Sequence, residues 1–188
     1  KPFRSIVDGE HDRLIRKQAK AIKRLKAPVL LRMRWEMDRP NLRATMWSGE
    51  DYIAAWRYVR KIFREQRADN VSWVWCPTAE GFIRGDAPAF YPGDDQVDWT
   101  CVDVYAGFEF QPIGKLMGPF LEWAAQRPKP IVIGEFGVAK AWGSAARAAR
   151  PKTGRTDRRW PGGASRWCGT ASLKSLCAWR AITARWRD

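Results

Sequence analysis

The sequence predicts an α/β fold built on a parallel sheet, and three observations predict it. Short, almost wholly apolar runs alternate with segments of helical periodicity, the pattern of strands covered on both faces. Polar and aromatic residues gather where those runs end, at Glu36, Trp75, Tyr105 and Glu135, and the carboxyl ends of parallel strands are where such sheets carry their sites. A 20-residue loop rich in Gly, Pro and Asp follows Cys76 on the same expected rim, as a substrate-binding loop should.

The elements follow in order. Leu14, Ile15, Ala19, Ala21, Ile22 and Leu25 form a helical stripe over Asp12–Lys26 with a solvated basic face, ended by Pro28. Val29-Leu-Leu-Arg-Met-Arg-Trp35 reads as a buried strand running into Glu36. The clearest helix spans Ser48–Arg67. Ser48 is the expected N-cap, Glu50 and Asp51 suit the first turn, and Ile53, Trp56, Val59, Ile62 and Phe63 make the core face. Asn70–Cys76 is the next strand, halted by Pro77, and Val97–Tyr105 is the third. Ile113–Gln126 is helix-like despite Gly118 and Pro119, and Lys129–Phe136 is the fourth strand.

The net charge of +14 suggests a polyanion partner. Residues 140–188, however, hold 12 Lys/Arg against 2 Asp/Glu, so +10 of the excess belongs to the tail. Nothing in the body demands nucleic acid. The tail also carries five of the twelve tryptophans and no sustained strand pattern. It reads as a basic Ala/Arg/Trp-rich segment, a translated shifted reading frame being the favoured explanation and a divergent cap or a binding tail the rivals. Cys76, Cys101, Cys168 and Cys177 show no metal-like spacing with the single histidine, His11. Cys76 and Cys101 are expected as buried free thiols at strand ends, a disulfide between them being the alternative. No apolar stretch approaches the roughly 18 residues of a membrane span.

Cleavage of a glycosidic bond with retention needs two carboxyl groups about 5–5.5 Å apart, one protonated to assist departure and one ionised to attack. Glu36 and Glu135 lie 99 residues apart, beyond the reach of one helix or loop. Both directly follow apolar runs, and the ends of different strands in a parallel barrel converge on one opening. The competing reading makes each a structural partner of Arg32 or Arg34.

Six blocks then become recognisable together: Leu31-Arg-Met-Arg-Trp-Glu-Met-Asp38, Asp51-Tyr-Ile-Ala-Ala-Trp-Arg57, Asn70-Val-Ser-Trp-Val-Trp-Cys-Pro77, Tyr91-Pro-Gly-Asp-Asp95, Val97-Asp-Trp99 and Ile133-Gly-Glu-Phe-Gly137. In this order, over roughly Ser5–Val138, the chain resembles glycoside hydrolase family 26, of the mannanase type. The resemblance implies a (β/α)8 TIM barrel with the acid/base after strand four, matched by Glu36, and the nucleophile after strand seven, matched by Glu135. It implies that Arg32 orders the site and that Tyr105 hydrogen-bonds the nucleophile. Trp75 and Trp47 are expected to stack on sugar rings, with core packing as the alternative for each. Asp103 is expected to orient Tyr105 or a sugar hydroxyl, or to accept a backbone hydrogen bond.

Two departures bear on substrate. Trp35 stands where the mannanases usually have His, and Asp38-Arg39-Pro40 where they have Asn-Gly. β-1,4-Mannan is the first expectation, and mixed-linkage β-glucan or β-xylan the next. Residues 1–139 are expected to be a partial barrel of about strands four to seven, since a whole one needs about 250 residues. The chain opens on Lys1-Pro-Phe without a signal peptide, and the full-length protein is expected to be secreted. A monomer acting on a polysaccharide is expected, with neither metal nor cofactor in the chemistry. A noncatalytic carbohydrate-binding remnant and a nucleic-acid-binding protein driven by the tail are the competing classes.

Overall fold

The computed structural model describes residues 2–40, 48–106, 111–137 and 180–184. Two short helices open the chain, α1 (Pro2–Val7) and α2 (Asp12–Arg24), followed by β1 (Val29–Met33), α3 (Gly49–Glu65) and β2 (Val71–Trp75). Next come α4 (Ala79–Ile83), a 3-10 turn (Ala87–Phe90), β3 (Trp99–Tyr105), α5 (Ile113–Ala124), β4 (Ile131–Gly137) and β5 (Arg180–Ala184). Trp47 lies outside the described residues, as does the basic tail at 140–179 and 185–188.

All strand pairs are parallel, in the order β4-β3-β2-β1-β5. The fold is therefore the expected α/β half-barrel, with one strand more than the four read from the sequence. Arg180–Ala184 aligns Val29 with Arg180 through Met33 with Ala184 and so covers the β1 edge. Unpaired edges expose backbone donors and acceptors, which makes such pairing favourable.

Strand parity sorts the side chains. Val29, Leu31, Met33, Trp73, Val102 and Val104 face the helices and build the main core. Leu30, Val74, Cys76, Trp99, Cys101 and Val132 form a second cluster on the opposite, concave face. Arg32 shares that face by its place between Leu31 and Met33. The sheet curls as a half-barrel, and on its concave face Arg32 of β1 meets Glu135 of β4, three strands away, at 3.3 Å.

The helices follow the sequence reading. Ser48 accepts from the Asp51 amide at 3.1 Å and caps α3. Tyr52, Trp56, Val59, Ile62 and Phe63 bury its inner face, while Ile53 is only half-buried. The long loop contains more order than its composition predicts. Thr78 caps α4 by accepting from Gly81 N at 2.9 Å, and the Trp56 indole donates to Gln96 O at 3.1 Å.

Two expectations are corrected. Cys76 and Cys101 are bonded to each other and are not free thiols. Val74 lies opposite Trp99 and Trp75 opposite Thr100, a register that carries Cys76 to Cys101 at a Cα separation of 4.3 Å. Pairing of this kind depends on register, which single-strand patterns do not reveal. Trp75 is the second correction: it is wholly buried and offers no face to a sugar. Its ring packs against Phe82, Tyr91 and Trp123, and its Nε1 donates to Phe90 O at 3.0 Å. Period-two alternation puts it on the helix side, with Trp73, and away from Cys76.

No described helix is long and apolar enough to cross a membrane. Replacing Trp75 with Ala should cost about 3–5 kcal/mol of stability through the cavity it leaves, measurable as a lowered urea midpoint.

Candidate active site

The rim after β1 is under local strain. Arg34 and Glu36 both adopt the left-handed region, with φ of 52° and 50°, a conformation costing non-glycine residues about 1–3 kcal/mol each. It persists because the surroundings hold it. The Glu36 amide donates to Cys76 O at 3.0 Å, joining the rims after β1 and β2. Asp38, fully buried, accepts from Thr78 N at 3.0 Å and from Thr78 Oγ1 at 2.6 Å. Burial raises the Asp38 carboxyl above its usual range, and the Thr78 hydrogen bonds oppose that rise. Glu36 itself is only 5% exposed, with Arg39 donating to its Oε2 at 2.8 Å.

A bulge delivers the second carboxylate. Val102 pairs with Ile133, but Asp103 pairs with Glu135, so Gly134 is an extra residue in β4. Without that insertion Glu135 would point to the helix side; with it, Glu135 shares the concave face of Asp103 and Arg32. Only glycine fits here. A β-carbon at 134 would stand 2.7 Å from each bridge sulfur and closer still to Asp103 Oδ1.

Arg32 ties the groups together. One guanidinium nitrogen binds Asp103 Oδ2, and another donates to Glu135 Oε1 at 3.3 Å. Tyr105 donates its hydroxyl to Glu135 Oε2 at 2.9 Å. Arg32 and Asp103 are buried, whereas the Glu135 side chain is 39% exposed and open to a ligand. Burial pushes the Asp103 carboxyl up to about 7; Arg32 pulls it down, and Glu135 and Glu36 push it further up. Tyr105 is raised to about 12, by burial first and then by its bond to Glu135. Glu36 and Glu135 both act on Asp103 and Tyr105, so they belong to one electrostatic unit.

The structure thus brings Glu36, Arg32, Asp103, Tyr105 and Glu135 together and leaves Trp75 in the core. Asp103 binds Arg32, a partner the sequence reading did not name. Sequence reasoning missed Asp38, Thr78, Arg39 and Gly134. Gly134 carried a legible signal, since a lone glycine inside an apolar strand often marks a bulge. Asp38 and Thr78 carried none, because their pairing spans 40 residues.

The family model for glycosyl hydrolase family 26 matches residues 6–132, more than half of the chain. The chain belongs to glycosyl hydrolase family 26. Endoglucanase H of Acetivibrio thermocellus is 34% identical over 108 residues, 53% of this chain and 12% of that protein. The β-1,3-xylanase TXYA of a Vibrio species is 30% identical over 140 residues, 70% of this chain and 28% of its own length. Among solved structures, the family 26 β-mannanase of Bacteroides ovatus is 27% identical with a TM-score of 0.50, over 60% of this chain and 34% of that one. The Cellulomonas fimi endo-β-1,4-mannanase matches the fold alone, at 21% identity and a TM-score of 0.57, over 74% and 37% of the two chains. The family 26 chain therefore spans well under half of each of these relatives.

Asp103 gives the family 26 chain a pH signature. The folded protein keeps a proton on Asp103 up to about pH 7, whereas the unfolded chain loses it near pH ~4. The stabilisation is complete below the lower value and is lost as pH rises through the upper one. Urea denaturation of the wild type should show stability falling across that window, and Asp103→Asn, which cannot titrate, should flatten the fall.

Proposed function

We propose that the chain carries the reacting carboxylates of a retaining β-glycoside hydrolase, with Glu135 as nucleophile and Glu36 as acid/base. The observation that carries this reading is the setting of Glu135. It is an exposed carboxylate held at one oxygen by Arg32 and at the other by Tyr105. Such pairing orients a lone pair and fixes the group on a strand end. Attack on the anomeric carbon forms a glycosyl ester on Glu135 while Glu36 gives its proton to the departing oxygen; water then enters with Glu36 as base. Arg39 donates to Glu36 Oε2 at 2.8 Å. Arg39 is half-exposed, so an incoming aglycone can displace it and leave Glu36 free to carry the proton of the first step.

The substrate is a β-glycan. β-1,4-Mannan is the first reading, supported by the 27% identity to the family 26 β-mannanase of Bacteroides ovatus. β-1,3-Xylan is a second reading, favoured by the 30% and 29% identity to two β-1,3-xylanases. The intact protein is proposed to be secreted, because its substrate is an extracellular polymer.

Glu135→Ala should remove nearly all hydrolysis, and a fluorinated glycoside should label Glu135 in the wild type; mass spectrometry finding the label elsewhere would sink the assignment. Glu36→Gln should slow hydrolysis of natural polymer by about 10²–10⁴-fold yet spare the first step on dinitrophenyl glycosides, whose leaving group needs no proton. Equal losses on both substrates would remove Glu36 from the acid role.

A further inference from the structure

The Cys76–Cys101 bridge lies directly beneath the strand that carries Glu135. Both cysteines are buried, and Gly134 rests on the two sulfurs so closely that a β-carbon would stand 2.7 Å from each. Glu135 is the next residue. The bridge also touches the side-chain support of Glu135: Cys76 Sγ lies 3.3 Å from Asp103 Oδ1, Asp103 Oδ2 binds Arg32, and Arg32 donates to Glu135 at 3.3 Å. Backbone and side chain of the same carboxylate thus both lean on one pair of sulfurs.

We infer that Cys76 and Cys101 are positioning residues for Glu135, so that the oxidation state of the pair sets how well the site performs. The inference rests on the nucleophile assignment above. Two consequences of reduction carry it. A dithiol supplies two electrons, the protein S–S bond breaks, two S–H groups form, and the reductant closes into its own disulfide. Unbonded sulfurs need van der Waals separation, and a close-packed interior has no spare volume for it. The displaced sulfur must press on Gly134 or on Asp103. The second consequence is electronic. A bridge sulfur has no proton to donate, whereas a Cys76 thiol does, and Asp103 Oδ1 is its near acceptor. A new donor favours the ionised carboxylate, which draws Arg32 toward Asp103 and away from Glu135. The other charged or titratable groups acting on this cluster are Glu36, Glu135 and Tyr105.

The experiment compares the full chain in oxidised and dithiol-reduced forms with a Cys76→Ala/Cys101→Ala variant. Carboxyl carbon resonances of Asp103 and Glu135 are followed against pH, alongside tryptophan emission and turnover of β-1,4-mannan and β-1,3-xylan. Reduction should lower the Asp103 midpoint, shift the Glu135 resonance and cut kcat by about 100-fold, the scale of a 1 Å misplacement, with KM little changed. The double Ala variant should shift Glu135 and lose kcat without lowering the Asp103 midpoint, since Ala cannot donate. Unchanged Asp103 and Glu135 resonances with native emission would overturn the inference. Collapse of native emission on reduction would overturn it too, leaving the bridge a purely stabilising role. If the oxidised chain hydrolyses neither glycan, that failure counts against the glycosidase reading, and the resonances alone decide the positioning role.

Discussion

One guanidinium shared between two carboxylates is the constraint on which the rest of this half-barrel depends. Arg32 sits on β1, Asp103 on β3 and Glu135 on β4, so satisfying it requires the sheet to curl. An arginine suits the position because its planar fork presents separate donors to separate acceptors, which an ammonium does not. The hydrophobic core supplies the driving force for folding, but it lies on the other face of the sheet. The polar cluster on the concave face selects the curvature.

The same cluster explains where the chain departs from regular geometry. One irregularity near the rim turns a side chain toward Arg32, and the others shape the turn after β1. The Gly134 bulge turns Glu135 inward. The left-handed residues Arg34 and Glu36 bend the chain sharply off the end of β1. The Asp38–Thr78 clasp then anchors that bend to the rim after β2. Strain of this kind survives only where neighbours over-determine it, and here a buried carboxylate, a helix cap and an inter-strand bridge all do so.

Much of this was legible in the sequence. Apolar runs located β1 to β4 because a strand buried on both faces must be apolar throughout, and Ser48 with Glu50 and Asp51 announced α3. Glu36 and Glu135 stood out because charged residues at the ends of such runs are costly unless used. Three things were not legible. The Cys76–Cys101 bridge depends on the register between two strands. The burial of Trp75 depends on which face each strand turns to the helices. β5 lies in a segment whose composition shows no strand period, and it pairs with β1 across nearly the whole chain.

The sequence by itself determined the kind of fold and the order of its main elements, because periodicity and residue type are local properties. Only the tertiary structure decided that Arg32 is divided between Asp103 and Glu135, that two cysteines are joined beneath them, and that Trp75 packs the core. Those outcomes depend on register, face and curvature, which exist only once strands far apart in the chain lie side by side.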